Sequence, residues 1–152
     1  MHKEIYIPSY RHQVEQWGRI YEEVKDIENK GDKSFVDIGC GYPAVSLVME
    51  SLGFKSSGIE INEATAIIAN TQSRVEVICM DMLNITELKE DIIYMYNPIA
   101  NPTIMKEAID VVIRAMKKDA ILLFCCESGI VRNHLKLIGA KELNEIFKLI
   151  KK

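Results

Sequence analysis

Four short polar stations, each closing an apolar run, hold the residues of this chain best suited to chemistry. The first is Asp37-Ile38-Gly39-Cys40-Gly41-Tyr42-Pro43-Ala44. Glycines let a backbone turn sharply and let a ligand approach with no Cβ in the way. A helix N-terminus after such a loop offers free N–H groups and partial positive charge to an anionic group. The second station is Glu60, where a carboxylate can accept hydrogen bonds from two ribose hydroxyls. Bonds to charged groups contribute roughly 1.5–3 kcal/mol each. The third is Asp81 in MDML, and the fourth is Asn97-Pro98 after DIIYMY.

Each station also has a plain structural reading. The glycines could make an ordinary strand-to-helix turn, Glu60 could be a solvated strand end, and Asp81 a turn former. Asn-Pro is a common loop opener. Their order and spacing together favour a nucleotide-like ligand. Gly39, Gly41 and Ala44 fit the dinucleotide fingerprint, with Glu60 as the ribose acid. That fingerprint asks for no acid before its first glycine. Asp37 suits a ligand bearing an ammonium group, and Asp81 suits an adenine amino group.

The elements that must position these residues alternate along the chain. Apolar residues at Val14, Trp17, Ile20, Tyr21, Val24 and Ile27 predict a helix from about Tyr10 to Lys30, ended by Gly31-Asp32, with Trp17 and Tyr21 on its core-packing stripe. SFVDIG, SSGIEI, VEVICM, DIIYMY and AILLFCC read as five strands. AVSLVMESLG, with Gly53 just past its end, and NEATAIIANTQ, capped by Asn62, read as helices. Thr86 is a candidate cap in the segment after the third strand. The stretch from Pro102 to Met116 is an amphipathic helix. IVRNHLKLIG reads as a short helix. KELNEIFKLIKK leaves helix, strand and hairpin open, with IFKLI taken as strand. This alternation predicts an α/β fold: one Rossmann-like three-layer α/β/α sandwich with a mostly parallel sheet, an N-terminal helix and a short C-terminal end. Residues 1–152 form one domain, with a lead-in to 33, a core over 34–126 and a short element over 127–152. In such sheets ligands bind at the carboxyl ends of the strands, near the topological switch point.

Composition narrows the class. The chain has 152 residues, 48% hydrophobic and 27% charged, as expected for an ordinary globular domain. A net charge of −3 argues against a strong electrostatic hold on nucleic acid. The four cysteines make no CxxC pair and no zinc spacing, so no metal site is expected. Free thiols suit a reducing compartment, and no apolar run approaches a membrane span of roughly 20 residues. MHKEIYIPSY lacks the apolar region of a signal peptide, so the expected location is cytoplasmic. His2, His12 and His134 lie in no motif and read as structural or solvated.

FVDIGCGYPA, GIEIN, VICMDML and DIIYMYNPI, taken in order, resemble the successive motifs of class I S-adenosylmethionine-dependent methyltransferases. The resemblance covers roughly residues 34–126. It implies S-adenosyl-L-methionine as cofactor and methyl transfer as activity. It implies that Asp37 holds the methionine ammonium, and that Gly39, Cys40 and Gly41 pass beneath the methionine and ribose. Glu60 would take the ribose hydroxyls and Ile61 would pack on the adenine. Asp81 would accept the adenine amino group, with Met82 on the ring. Asn97 would face the methyl group and the acceptor, which Asn97 and Pro98 would position. Pro43 stands where the family often has a third glycine; proline is tolerated in the first turn of a helix. Asn97-Pro98-Ile99-Ala100 is similar to the Asn-Pro-Pro-Tyr motif of enzymes acting on amino groups, without the second proline and the aromatic. Tyr94 and Tyr96 precede it, and strand alternation could bury either. Two other readings stay open: a non-catalytic cofactor-binding module or partner subunit, and a dinucleotide enzyme. The acceptor is unnamed, and the short chain suits a macromolecular acceptor or a homodimer. The lead-in with its YIPSYRH segment, Tyr42, the loop after Asn97 and Glu127-Ser128-Gly129 are the candidates to border it.

Overall fold

The computed structural model describes residues 10–125, 128–143 and 146–152, with side chains described from residue 17 onward. The predicted strands form as β1 (Ser34–Ile38), β2 (Lys55–Glu60), β3 (Glu76–Cys79), β4 (Ile92–Tyr96) and β5 (Ile121–Cys125). KELNEIFKLIKK resolves into two more strands, β6 (Lys141–Leu143) and β7 (Ile146–Ile150). IFKLI is therefore a strand, and its partner KEL completes an antiparallel pair. The sheet order is β3-β2-β1-β4-β5-β7-β6. The first five strands in that row are parallel, and β7 runs antiparallel to β5.

Helices cover both faces. α1 (Tyr10–Val24), α2 (Ala44–Ser51) and α3 (Glu63–Gln72) lie on one side; α4 (Pro102–Ala115) and α5 (Gly129–Leu137) lie on the other. Strand alternation sorts the core accordingly. Phe35, Tyr94 and Leu123 pack with Ile20, Val24 and Met49 on the first side. Val36, Ile38, Ile93 and Met95 pack with Met105, Ile109 and Val112 on the second. The fold is thus the three-layer α/β/α sandwich that the alternating pattern predicts.

Local chemistry sets the helix ends. Asn62 Oδ1 accepts from Thr65 N at 3.0 Å and starts α3. Asn101 Oδ1 accepts from Thr103 N at 3.0 Å and Ile104 N at 3.2 Å, with Pro102 as the first helical residue of α4. This cap was readable from the Asn-Pro pair. α2 ends just before Gly53, whose φ of 105° suits glycine. The edge strand β3 is blunted by Asn70, whose amide accepts from Val77 N at 2.9 Å and donates to Val77 O at 2.7 Å.

Three expectations are corrected. α1 stops at Val24, not near Lys30, because left-handed Asn29 leads into a separate 3₁₀ turn at Lys30–Asp32. Ile27 still packs on the α1-side core. Tyr21 is exposed, so among the described side chains the stripe holds buried Ile20 and Val24 with half-buried Trp17, and Val14 lies outside them. Thr86 caps nothing: the segment after β3 is a 3₁₀ turn, Met82–Asn84, capped by Asp81. A carboxylate outcompetes a hydroxyl here because it stands directly before the turn and reaches Leu83 N at 2.9 Å.

Candidate functional site

Strand order reverses between β1 and β4, and the residues after these two strands meet there. Gly39 takes φ +77°, a conformation that favours glycine, and a Cβ on it would collide with Cβ of Pro98. The first and fourth stations therefore touch at the switch point. Gly39 N and Cys40 N both donate to Ile59 O, at 2.8 and 3.1 Å, which ties the loop across to β2. Gly41, at φ +55°, donates its N–H to Glu60 Oε2 at 3.2 Å. A Cβ on Gly41 would meet nothing within 4 Å, so open space lies over that part of the loop. Pro43 stands immediately before α2, with φ −82°, and its carbonyl accepts from Leu47 N. The proline thus stiffens the loop's exit and costs no hydrogen bond.

Asp37 is the unusual group. Its side chain is 6% exposed at the carboxyl end of β1 and has no hydrogen-bond partner among the described residues. Burial, reinforced by the nearby charge of Glu60, holds its carboxyl well above the usual carboxylate range. A buried carboxyl without a donor is costly, and the Asp37 oxygens, which are not among the fully buried unpaired atoms, stay open to a cationic or donor partner. Tyr94, its register neighbour on β4, is buried against Phe35 with ring centroids 6.2 Å apart. Tyr96, by contrast, is half-buried.

Cys40 lies between the loop and β2. Its thiol donates to Gly41 O at 3.3 Å, and burial together with the Asp37 and Glu60 charges pushes its pKa up. It is a packing residue and not a nucleophile. Gly58, inside β2, leaves the room: a Cβ there would lie 2.6 Å from Cys40 Sγ. A glycine inside a strand signals such a close approach. Gly58→Ala is expected to cost about 1–3 kcal/mol by overpacking. Urea titration should show most of that recovered in Gly58→Ala with Cys40→Ala, and equal losses with and without Cys40 would exclude the contact.

The remaining stations line the same end of the sheet. Glu60 is half-buried. Ile61 is 65% exposed, an apolar side chain left bare beside it. Asp81 keeps one carboxylate oxygen on Leu83 N. Met82 is 8% exposed and belongs mainly to the α4-side core. Asn97 has φ +32°, its N–H donates to Cys125 O at 3.0 Å, and its side chain has no partner among the described residues. Among the candidate bordering segments, Tyr42 is exposed and Ser128 precedes α5. Residues 6–9 of YIPSY, the Tyr10, Arg11 and His12 side chains, His2, Cys126 and Glu127 fall outside the described residues. His134 is paired with Asp110 at 2.8 Å between α5 and α4. No group of three or more His, Cys, Asp or Glu among the described residues could hold a metal ion. No helix among them is long and apolar enough to cross a membrane.

The chemistry of these residues suits the cofactor implied by the resemblance. The orphaned Asp37 carboxyl suits an ammonium, the open surface over Gly41 leaves room for a ligand, and bare Ile61 suits a flat ring.

No family model matches the sequence. A protein of Geobacillus sp. (strain WCH70), whose name marks its methyltransferase activity as unproven, is 21% identical over 126 residues. That match takes in 76% of this chain and 51% of the relative, so the chain spans about half the length of the curated relative it matches. Magnesium protoporphyrin IX methyltransferase from Synechocystis PCC 6803, solved with bound S-adenosylmethionine, superposes with TM-score 0.74 at 14% identity, covering 93% of this chain and 80% of that one. The N-methyltransferase NodS from Bradyrhizobium japonicum WM9 superposes with TM-score 0.70 at 13% identity, covering 95% and 99%. The strand order, the antiparallel β7 and these superpositions together establish that this chain has the fold of the class I S-adenosylmethionine-dependent methyltransferases.

Proposed function

We propose that this protein binds S-adenosylmethionine at the carboxyl ends of β1 to β4 and transfers its methyl group to an acceptor near Asn97. The observation that carries the reading is Asp37: a buried carboxyl with no partner, beside a glycine loop and a ribose-compatible acid. The dinucleotide fingerprint asks for no acid there and a dinucleotide carries no ammonium, whereas the methionine part of the cofactor does.

In this reading the cofactor, when bound, supplies an electrophilic methyl group, and the chain's residues bind and align. Asp37 holds the ammonium. Gly39, Cys40 and Gly41 let the ligand lie against the backbone. Glu60, held by Gly41 N through Oε2, offers its other oxygen to the ribose. Ile61 covers one face of the adenine, Met82 contributes its edge, and Asp81 accepts from the amino group with the oxygen not engaged by Leu83. Asn97 and Pro98 place the acceptor, and alignment of this kind can lower a barrier by roughly 7–11 kcal/mol.

The distinguishing experiment concerns Glu60. S-adenosylhomocysteine and its 2′,3′-dideoxy analogue are titrated into the wild type and Glu60→Ala. Removing the hydroxyls should weaken wild-type binding about ten- to hundredfold, as expected for bonds to a charged group, and should have little effect in Glu60→Ala. An equal loss in both proteins would take Glu60 out of the ribose site. Preferential binding of NAD by the wild type would replace the reading with a dinucleotide one.

A further inference from the structure

The helix α3 is apolar on two sides. Its sheet-facing side is made of Ala66 and Ala69, both buried against Val77 of β3. Its opposite side carries Ala64, Ile67, Ile68 and Thr71, all exposed. These positions follow the spacing i, i+3, i+4, i+7, so they form one stripe with neighbouring side chains about 5–6 Å apart. The usual arrangement is inverted here: small residues face the sheet, and two isoleucines, 58% and 51% exposed, face outward. A helix that is apolar all round is ordinarily buried, yet among the described residues nothing covers this side of α3. Single apolar residues scattered on a surface need no explanation, but a contiguous stripe does.

The charges around the stripe say what can cover it. α3 holds one charged residue, Glu63, in its first turn. Arg74, just past its last turn, bonds Glu50 of α2 through Nε at 2.8 Å and stays 67% exposed. Glu76 belongs to the other face of β3, because its neighbour Val77 is the residue turned toward Ala66 and Ala69. The stripe is therefore acidic at one end, basic at the other and neutral between. A partner of one charge sign suits one end and is repelled by the other. A second α3 laid antiparallel suits both. Each Glu63 then comes to the end of the other copy that carries Arg74, and the helix dipoles oppose one another. Ile67 and Ile68 are the middle two residues of α3, so a twofold axis there brings them together in a self-complementary contact. Parallel pairing would set Glu63 against Glu63.

We propose that α3 is the contact face of a homodimer, in which the Ile67–Ile68 stripes of two copies pack antiparallel about a twofold axis. This gives the homodimer expected from chain length a specific surface, and it does not depend on the methyl-transfer reading. α3 is about 15 Å long. Contact along it alone stays near the small end of specific interfaces, about 1,000–1,200 Å² in total. The dimer is therefore expected to dissociate on dilution through the micromolar range.

Sedimentation equilibrium of the whole chain, over a series of concentrations from low to high micromolar, tests this. The wild type should rise from the mass of one chain toward that of two. Ile67→Lys with Ile68→Lys should self-associate about tenfold more weakly or worse, because an ammonium in an apolar contact must be desolvated. Both positions are exposed and lysine is a good helix former, so this variant should keep the wild-type Tm. Ile130→Lys, at a comparably exposed isoleucine on α5, should dimerise like the wild type. The charges are tested at low salt. Glu63→Lys should weaken the dimer about threefold or more, and an equimolar mixture with Arg74→Glu should restore it, since exposed pairs contribute small but measurable amounts. A wild type that stays monomeric throughout overturns the proposal and leaves the stripe to a different partner. Dimerisation unchanged by the double lysine variant, or lost equally in Ile130→Lys, overturns α3 as the contact. A mixture no tighter than its two components overturns the antiparallel arrangement.

Discussion

Gly39→Ala is expected to destabilise the protein by about 2–5 kcal/mol and to abolish cofactor binding, the largest single effect anticipated in this chain. Two costs combine. At φ +77° a Cβ forces a left-handed conformation, which costs about 1–2 kcal/mol. That Cβ also runs into Pro98, and overpacking of this kind costs about 1–3 kcal/mol. Folded domains have only about 5–15 kcal/mol in hand, so the urea midpoint should drop visibly. Gly41→Ala is the internal control. Its φ is +55° but its Cβ would meet nothing within 4 Å, so only the backbone cost applies. Gly41→Ala should therefore lose only about 1–2 kcal/mol of stability yet still lose affinity, because the new methyl occupies space proposed for the ligand. If the two variants were equally stable, Pro98 would not be packed on Gly39 and the two loops would not meet at the switch point.

Asp37→Asn is expected to separate stability from binding. The Asp37 carboxyl is buried without a donor, and its folded pKa is raised, first by burial and then by the charge of Glu60. For a group raised on folding, its stabilising contribution is fully present below the unfolded pKa. It is lost as pH rises through the folded pKa, because the unfolded chain releases the proton first. The ligand-free protein should thus lose stability as pH climbs from the ordinary aspartate pKa of about 3.9 toward Asp37's raised folded value. Asparagine removes that proton from the balance. Asp37→Asn should melt higher than the wild type at neutral pH, with a flatter pH dependence of Tm. Its affinity for S-adenosylhomocysteine should fall about ten- to hundredfold through loss of a charge-assisted bond. Methylthioadenosine, which has no ammonium, should bind both proteins alike. Gains in stability with losses in function are the usual mark of a site held in an unfavourable state for its ligand. An equal loss of both ligands, or a lower Tm at neutral pH, would mean that Asp37 serves the loop and not the ligand.

Much of this was legible in the sequence because strands buried on both faces announce themselves. IIYMY and ILLFC are unbroken apolar runs bounded by turn residues, SFVDI is one interrupted only by Ser34 at its start and Asp37 near its end, and each is a strand. The stations at their ends were legible for the same reason: an acid or asparagine closing such a run has no packing role. The C-terminal pair was harder. Alternation in IFKLI is weak, and its strand state depends on the open edge of β5, which is a tertiary fact. The end of α1 is not legible in the sequence because Ile27 continues the helical spacing while reaching the core from beyond the helix. Within the site, the fourth station's asparagine and proline were visible, but the contact between Pro98 and Gly39 was not, since it joins loops far apart in sequence. Gly58 carried a readable signal, a glycine inside a strand, whose meaning needed the position of Cys40.

The most direct test of the central claim is calorimetric titration of the wild-type protein with S-adenosylhomocysteine, with NAD as the comparison ligand. Saturable binding of S-adenosylhomocysteine with a stoichiometry near one, and none of NAD, is the predicted result. Binding of NAD in its place, or of neither ligand, would contradict it.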